Sequence, residues 1–337
     1  MDSCDRVRLT LAIALVLMVT ASAILQSVPY VNAQVPEGNY TVAEYFSDAL
    51  SKITASGERT VIYRFANYSS PYGVAIDPAG NYIVTESDVG IVSRITPSGS
   101  RTVVYTFQPG TKLYGVAVDS AGNYIVSELN IYERISRISP NGVRTVVYEY
   151  SASDVPYVYG VAVDLADNMI VTEFGAFGAA GHLSKITPGG VRSIIYTYED
   201  RLVYGVAIDS SGNYIVVEHS PDESVLSKVT PTGDYDVIYA FPADIIPHDV
   251  AVDPQGNYIV TEPVPGILSM ISASGAETVI FRFAEGTSPM GVAIESTRPP
   301  APGLAAGGIV VLMMVIVSVG VFVAVLPALI AGRGRRY

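Results

Sequence analysis

The chain has 337 residues, of which 49% are hydrophobic and only 15% charged, so a packed core is easily built and intrinsic disorder is excluded as its organising state. Acidic residues outnumber basic ones 32 to 20, and between residues 34 and 302 the ratio rises to 30 to 15. That balance excludes nucleic acid as a partner, because phosphates demand a basic face, and suits a solvated exterior or cation binding.

The first 33 residues carry Arg6 and Arg8, then an apolar run from Leu9 to Leu25, then small residues up to Val31-Asn32-Ala33. This order predicts a secretory signal peptide over 1–33, cut after Ala33 or, as a second choice, after Ala23. The alternative is an uncleaved anchor, for which the run is short. The single cysteine, Cys4, falls inside this segment, so the exported part forms no disulfide and has no disulfide-linked partner.

From residue 38 onward a repeat dominates. The phrase Asp-x-x-Gly-Asn-Tyr-Ile-Val-Thr-Glu runs from Asp77 to Glu86 and returns with small changes at Asp119 to Glu128, Asp209 to Glu218 and Asp253 to Glu262. A degenerate copy, with Asp167 for Gly and Met169 for Tyr, spans Asp164 to Glu173. Each is preceded by a Val-Ala-Val/Ile segment and followed by a Ser-Lys/Arg-Ile-Thr-Pro-x-Gly phrase or a relative, then by Arg-Thr-Val-Val-Tyr or a relative. The terminal glutamates stand 42, 45, 45 and 44 residues apart, a period that holds four short strands joined by tight turns. Four antiparallel strands at this period make a propeller blade. We label them A (Gly-Val-Ala-Val-Asp), B (Asn-Tyr-Ile-Val-Thr-Glu), C (Leu-Ser-Lys-Ile-Thr) and D (Thr-Val-Ile-Tyr). Strand A, short and rich in Gly and Ala, is placed innermost, where backbones crowd.

The ends of the array give the blade count. Gly38 to Glu44 is a strand B with no strand A before it, and Gly291 to Glu295 is a strand A with nothing after it. Joining the two yields six periods of 43 residues, so the expected fold is all-β: a six-bladed β-propeller over 34–295, closed by the C-terminal strand A against the N-terminal strands B to D, with no open sheet edge at the seam. A Pro-rich linker, 296–303, leads to an apolar stretch, 304–330, long enough for one transmembrane helix. Arg333, Arg335 and Arg336 then place the tail, 331–337, in the cytoplasm and the propeller outside, a single-pass cell-membrane topology. The same tripartite end also suits a sorting signal that is later removed.

Gly-Asn-x-x-x-Thr-Glu followed by Arg/Lys-Ile-Thr-Pro-x-Gly resembles the NHL-repeat propellers, and within them the streptogramin B lyase branch; the six-blade count and Glu37-Gly38 are similar to the gluconolactonase-like propellers. The resemblance covers residues 38 to 295. It implies the fold, and as expectations either a binding module or a lyase or lactonase with a divalent metal in the channel.

Strand direction gathers candidate residues on one face, here called the top, where D-to-A and B-to-C connections meet. Tyr72, Tyr114, Tyr159, Tyr204 and His248, with Met290 as sixth member, stand at the start of each strand A. The glutamates closing each strand B form a second expected ring around the channel. His219 follows Glu218, and His248-Asp249 breaks the repeat in the sixth blade, as the Gly-rich 174–182 connection does in the fourth. Glu218, His219, His248 and Glu262 are the expected holders of a divalent cation, Ca or Mg. A residue that recurs in every blade equally suits blade packing. The expected function is a cell-surface module binding a small molecule, glycan or protein on this face; the alternatives are an exported metal-dependent hydrolase or lyase, or a structural envelope component.

Overall fold

The computed structural model describes residues 38–151, 156–175 and 180–295. The chain divides into two units, 1–297 and 298–337. The expected signal peptide, the linker, the transmembrane helix and the tail all lie outside the described residues, among which no helix is long and apolar enough to cross a membrane.

Six four-stranded antiparallel sheets follow one another round an axis. Blade 2 is typical: strand A is Pro71–Ile76, B is Tyr82–Glu86, C is Ile91–Ile95 and D is Arg101–Thr106. In blade 1 the order is Pro289–Glu295, Asn39–Glu44, Ala49–Thr54, Arg59–Arg64, so the last strand of the chain pairs with the first, with Asn39 opposite Glu295. The closure expected from the orphan strands is therefore present. Glu295 fastens it, accepting hydrogen bonds from Asn39 Nδ2, Thr41 Oγ1, Lys52 Nζ and, from blade 2, Tyr82 Oη.

Burial follows from the packing of blade on blade. Strand B is covered on both faces, as its unbroken apolar run requires, whereas strand D leaves residues such as Thr102, Val103 and Thr106 in solvent. Six apolar clusters fill the six interfaces. One joins Ile83 and Val92 of blade 2 to Leu113, Val116 and Tyr124 of blade 3, and another joins Ile259 and Leu268 of blade 6 to Tyr40 and Val42 of blade 1. At about 25 cal/mol per Å² of apolar surface, these interfaces supply the main driving force of a fold that has no disulfide.

The bottom of blades 2 to 6 is pinned by the Asp-x-x-Gly-Asn turn or its degenerate copy. Asp77 Oδ1 accepts the backbone N–H of Ala79 and Asn81, while Gly80 takes a positive φ of 80°. In the degenerate copy Asp167 holds φ 60° in place of Gly and turns its carboxylate to Ser120 of the neighbouring blade.

Candidate functional site

Only strand A faces the axis, and the channel it lines is built from two stacked rings. The lower is glycine: Gly73, Gly115, Gly160, Gly205 and Gly291. A Cβ on Gly73, Gly115 or Gly160 would lie 2.5 Å from the carbonyl oxygen of the next blade's ring tyrosine, so nothing larger fits there. Each glycine sits at a local slip in the A–B register. Blade 6 has no slip: Asp249 pairs directly with Thr261, and this different backbone course admits a side chain where the other blades have none.

The upper ring is aromatic. Tyr72, Tyr114, Tyr159, Tyr204 and His248 follow one another with centroid separations of 5.1, 4.9, 5.3 and 5.1 Å, and His248 meets Tyr72 at 5.0 Å. Four tyrosines and one histidine thus close a circle in which Tyr72–Tyr114, Tyr159–Tyr204 and His248–Tyr72 meet edge to face, Tyr114–Tyr159 is tilted and Tyr204–His248 is stacked. The Tyr72 hydroxyl and His248 Nε2 are 2.7 Å apart. Burial pulls the His248 imidazole down to about 4, against a backbone hydrogen bond to Met290 that pushes the other way. Burial, then the neighbouring tyrosines and Asp249, push the Tyr72 phenol well above its ordinary value. Both groups are neutral at pH 7. With Nδ1 carrying the imidazole proton, the phenol donates to Nε2.

Beneath His248, the Asp249 carboxylate accepts the Val292 N–H through Oδ2 at 2.9 Å. Burial raises its pKa to about 7, with the Val292 and Val250 N–H groups opposing. This is a carboxyl that exchanges its proton near neutrality in the wall of a channel. The cavity at this level, lined by His248, Asp249, Tyr72, Tyr159 and Tyr204, has a volume of about 90 Å³. That holds a few waters or one small polar group, not a drug-sized ligand, which would need about 300 Å³ or more. Larger ligands would rest above it, among the top connections. There Phe46, Tyr68, Ile131, Tyr132, Tyr157, Ile246 and Val264 are exposed.

The glutamates that close strand B lie elsewhere. They are buried within the blades, behind strand A, and do not line the channel. Each of the first four meets the arginine that starts its own strand D: Glu44 with Arg59, Glu86 with Arg101, Glu128 with Arg144 and Glu173 with Arg192. Blades 5 and 6 lack that arginine, having Tyr235 and Glu277 in its place. Glu218 therefore has Tyr235 Oη at 3.3 Å and Arg201 at 3.6 Å, and burial pushes it up to about 7. Glu262 accepts from Ser269 and is also raised, burial being the larger cause. His219 Nδ1 meets Ser224 Oγ at 2.9 Å. The four residues named as cation ligands occupy separate settings, and among the described residues no group of three or more His, Cys, Asp or Glu is placed to hold a metal ion.

The Thr of strand B has a role that recurrence alone does not reveal. Gly73 N–H donates to Thr85 Oγ1 at 2.8 Å, and Thr85 donates onward to the Tyr114 carbonyl at 2.6 Å. Ser127, Thr172 and Thr261 relay in the same way to Tyr159, Tyr204 and Met290. The relay fails at Val217, where Gly205 N–H bonds the His248 carbonyl directly at 2.8 Å, and its position in blade 1 is taken by Ala43. Blade 6 is flanked by both gaps. Asp249 was visible in the sequence as the one departure from the glycine ring; the signal was the substitution itself.

No family model matches the chain, and no curated protein matches it. Among solved structures it is similar to a streptogramin B lyase, at 15% identity over 77% of this chain and 88% of that one, with a TM-score of 0.58. It is likewise similar to virginiamycin B lyase from Staphylococcus aureus, at 17% identity over 76% and 84%, TM-score 0.56. A gluconolactonase from Xanthomonas campestris matches at 14% identity over 76% and 87%, TM-score 0.55. These are propellers of the two kinds the repeat phrasing resembles, and at such identities the likeness is one of fold.

Proposed function

We propose that this chain is a cell-surface binding module, held by one C-terminal transmembrane helix over 304–330, that receives a small molecule, glycan or protein segment on the top face of its propeller. The observation that supports this reading is the break at His248-Asp249. A repeat is free to keep Tyr-Gly at this position, as four blades do, and here it gives way to two titratable side chains, His248 within the aromatic ring and Asp249 in the channel wall beneath it. Aromatic faces with a few placed polar groups are the usual make-up of a ligand site. The test is the double variant His248→Tyr with Asp249→Gly, which restores the residues of the other blades. Ligands found by thermal shift from a panel of saccharides, phenols and small acids should lose their effect on it. A ligand that stabilises wild type and double variant alike would show that the axial site is not the receptor. For the anchoring, protease added to intact cells should remove residues 34–302, and protection of the propeller would refute it.

A second reading, an exported lyase or hydrolase, is favoured by the Asp249 carboxyl, whose pKa near 7 suits general acid–base work. The neighbours named streptogramin B lyase and gluconolactonase lend it an analogy of fold only. Turnover that depends on added Ca or Mg would favour this reading over the binding module.

A further inference from the structure

Strand C of blade 3, Glu133–Ile138, begins with a residue unlike its counterparts. The equivalent positions hold Gly90, Gly181 and Gly266 in three blades and the hydrogen-bonded Asp48 and Ser224 in the other two. Glu133 is 3% exposed, and among the described residues both its carboxylate oxygens lack a hydrogen-bond partner. A buried carboxyl left without a partner costs several kcal/mol unless it is neutralised or meets a cation, so one or the other must hold.

The blade's own cations are committed. Arg144 pairs with Glu128, Arg134 with Glu149 and Arg137 with Asp119. The following connection, 152–155, contains no Lys or Arg in its sequence. Two phenols of the aromatic ring, Tyr114 and Tyr159, lie within its electrostatic reach. The repeat shows where a side chain at this position goes: a Cβ on Gly90 would meet Thr111, and one on Gly181 would meet Arg201, each three residues before a ring tyrosine at the start of the next strand A. By the same placement Glu133 stands against the start of strand A of blade 4, Pro156–Val163, which its own strand touches. The Tyr114 and Tyr159 rings stand 4.9 Å apart, and Tyr157 stacks on both Tyr159 and Phe174.

We propose that Glu133, with Tyr114, Tyr157 and Tyr159, forms a top-face subsite for an organic ammonium group. A carboxylate backed by aromatic faces is what such a cation needs: a countercharge in a poorly hydrated pocket and ring quadrupoles around the remaining N–H or C–H surface. In the free protein burial, then Glu128, raises the Glu133 pKa to about 8, so the acid is neutral at pH 7 and ionises when the ammonium arrives. The subsite shares Tyr159 with the axial cavity, but its carboxyl is distinct from the His248-Asp249 pair.

The test is calorimetric titration of the full-length chain with phenethylammonium and with its neutral analogue 2-phenylethanol. The amine is expected to bind about tenfold more tightly than the alcohol. Both Glu133→Gln and Glu133→Gly, the latter restoring the residue of blades 2, 4 and 6, should abolish that preference. Equal affinity for amine and alcohol, no measurable binding of the amine at millimolar concentration, or a preference that survives both Glu133 substitutions would each overturn the proposal.

Discussion

At the scale of single residues, the repeat conceals two kinds of position that a sequence presents alike. The strand-B glutamates recur in every blade, and recurrence made a ring round the channel as reasonable as a bond inside the blade. The structure separates these outcomes by a simple fact of order: strand A stands between strand B and the axis, so the glutamate turns along its own sheet to Ser and Arg. The ring tyrosines, His248 and the glycines were legible because strand A itself faces the channel. The Thr relay was not, because its partner is a carbonyl in the next blade, about 30 residues on, and no pattern in one blade points there. Thr85→Val should leave Gly73 N–H and the Tyr114 carbonyl without that hydroxyl and lower unfolding free energy by about 1–2 kcal/mol in urea denaturation. The matching change Val217→Thr has no such demand to meet, since Gly205 N–H already bonds His248; a loss from Thr85→Val no larger than that from Val217→Thr would count against the relay.

The element that matters most is the closing strand, Pro289–Glu295. It fills the inner position of blade 1 and brings Val292 into the cluster shared with blade 6. Its glutamate is buried in part, which works to raise its pKa, but Lys52, Tyr82 and Asn39 more than offset this and hold the carboxyl below the ordinary 4.5. A carboxylate whose folded pKa is depressed contributes stability above its unfolded value and loses it as pH falls through the folded one. Glu295→Gln should therefore destabilise at pH 7 and make little difference at pH 3, as read from thermal midpoints. Truncation before Met290 should abolish cooperative melting, because it exposes both the inner edge of strand B and the apolar face behind it. The blade count was readable from the sequence since the two orphan ends are complementary. The changed register of blade 6 was not, because a one-residue slip leaves hydrophobic alternation on either side intact.

At the scale of the whole molecule, burial raises three carboxyls in different blades: Glu133 to about 8, and Glu218 and Asp249 to about 7. The sign follows from proton counting. Between the ordinary carboxylate values of 4.5 and 3.8 and these raised ones, the folded chain binds more protons than the unfolded chain, so stability falls as pH rises through that window and levels off above about 8. The urea midpoint should be lower at pH 8 than at pH 5, and Glu133→Gln should flatten the slope; a midpoint that climbs over this range would contradict the assignment. The seam carries one more implication. Asn39 and Glu295 are register partners, so the two ends of the ring lie side by side, about 5 Å apart at Cα. The sheet therefore records no privileged starting point. A gene in which a short Gly-Ser link joins Glu295 to Gly38, and which begins instead at Gly110 in the connection between blades 2 and 3, should encode the same wheel with its seam moved. Its circular dichroism and melting cooperativity should match those of the parent arrangement.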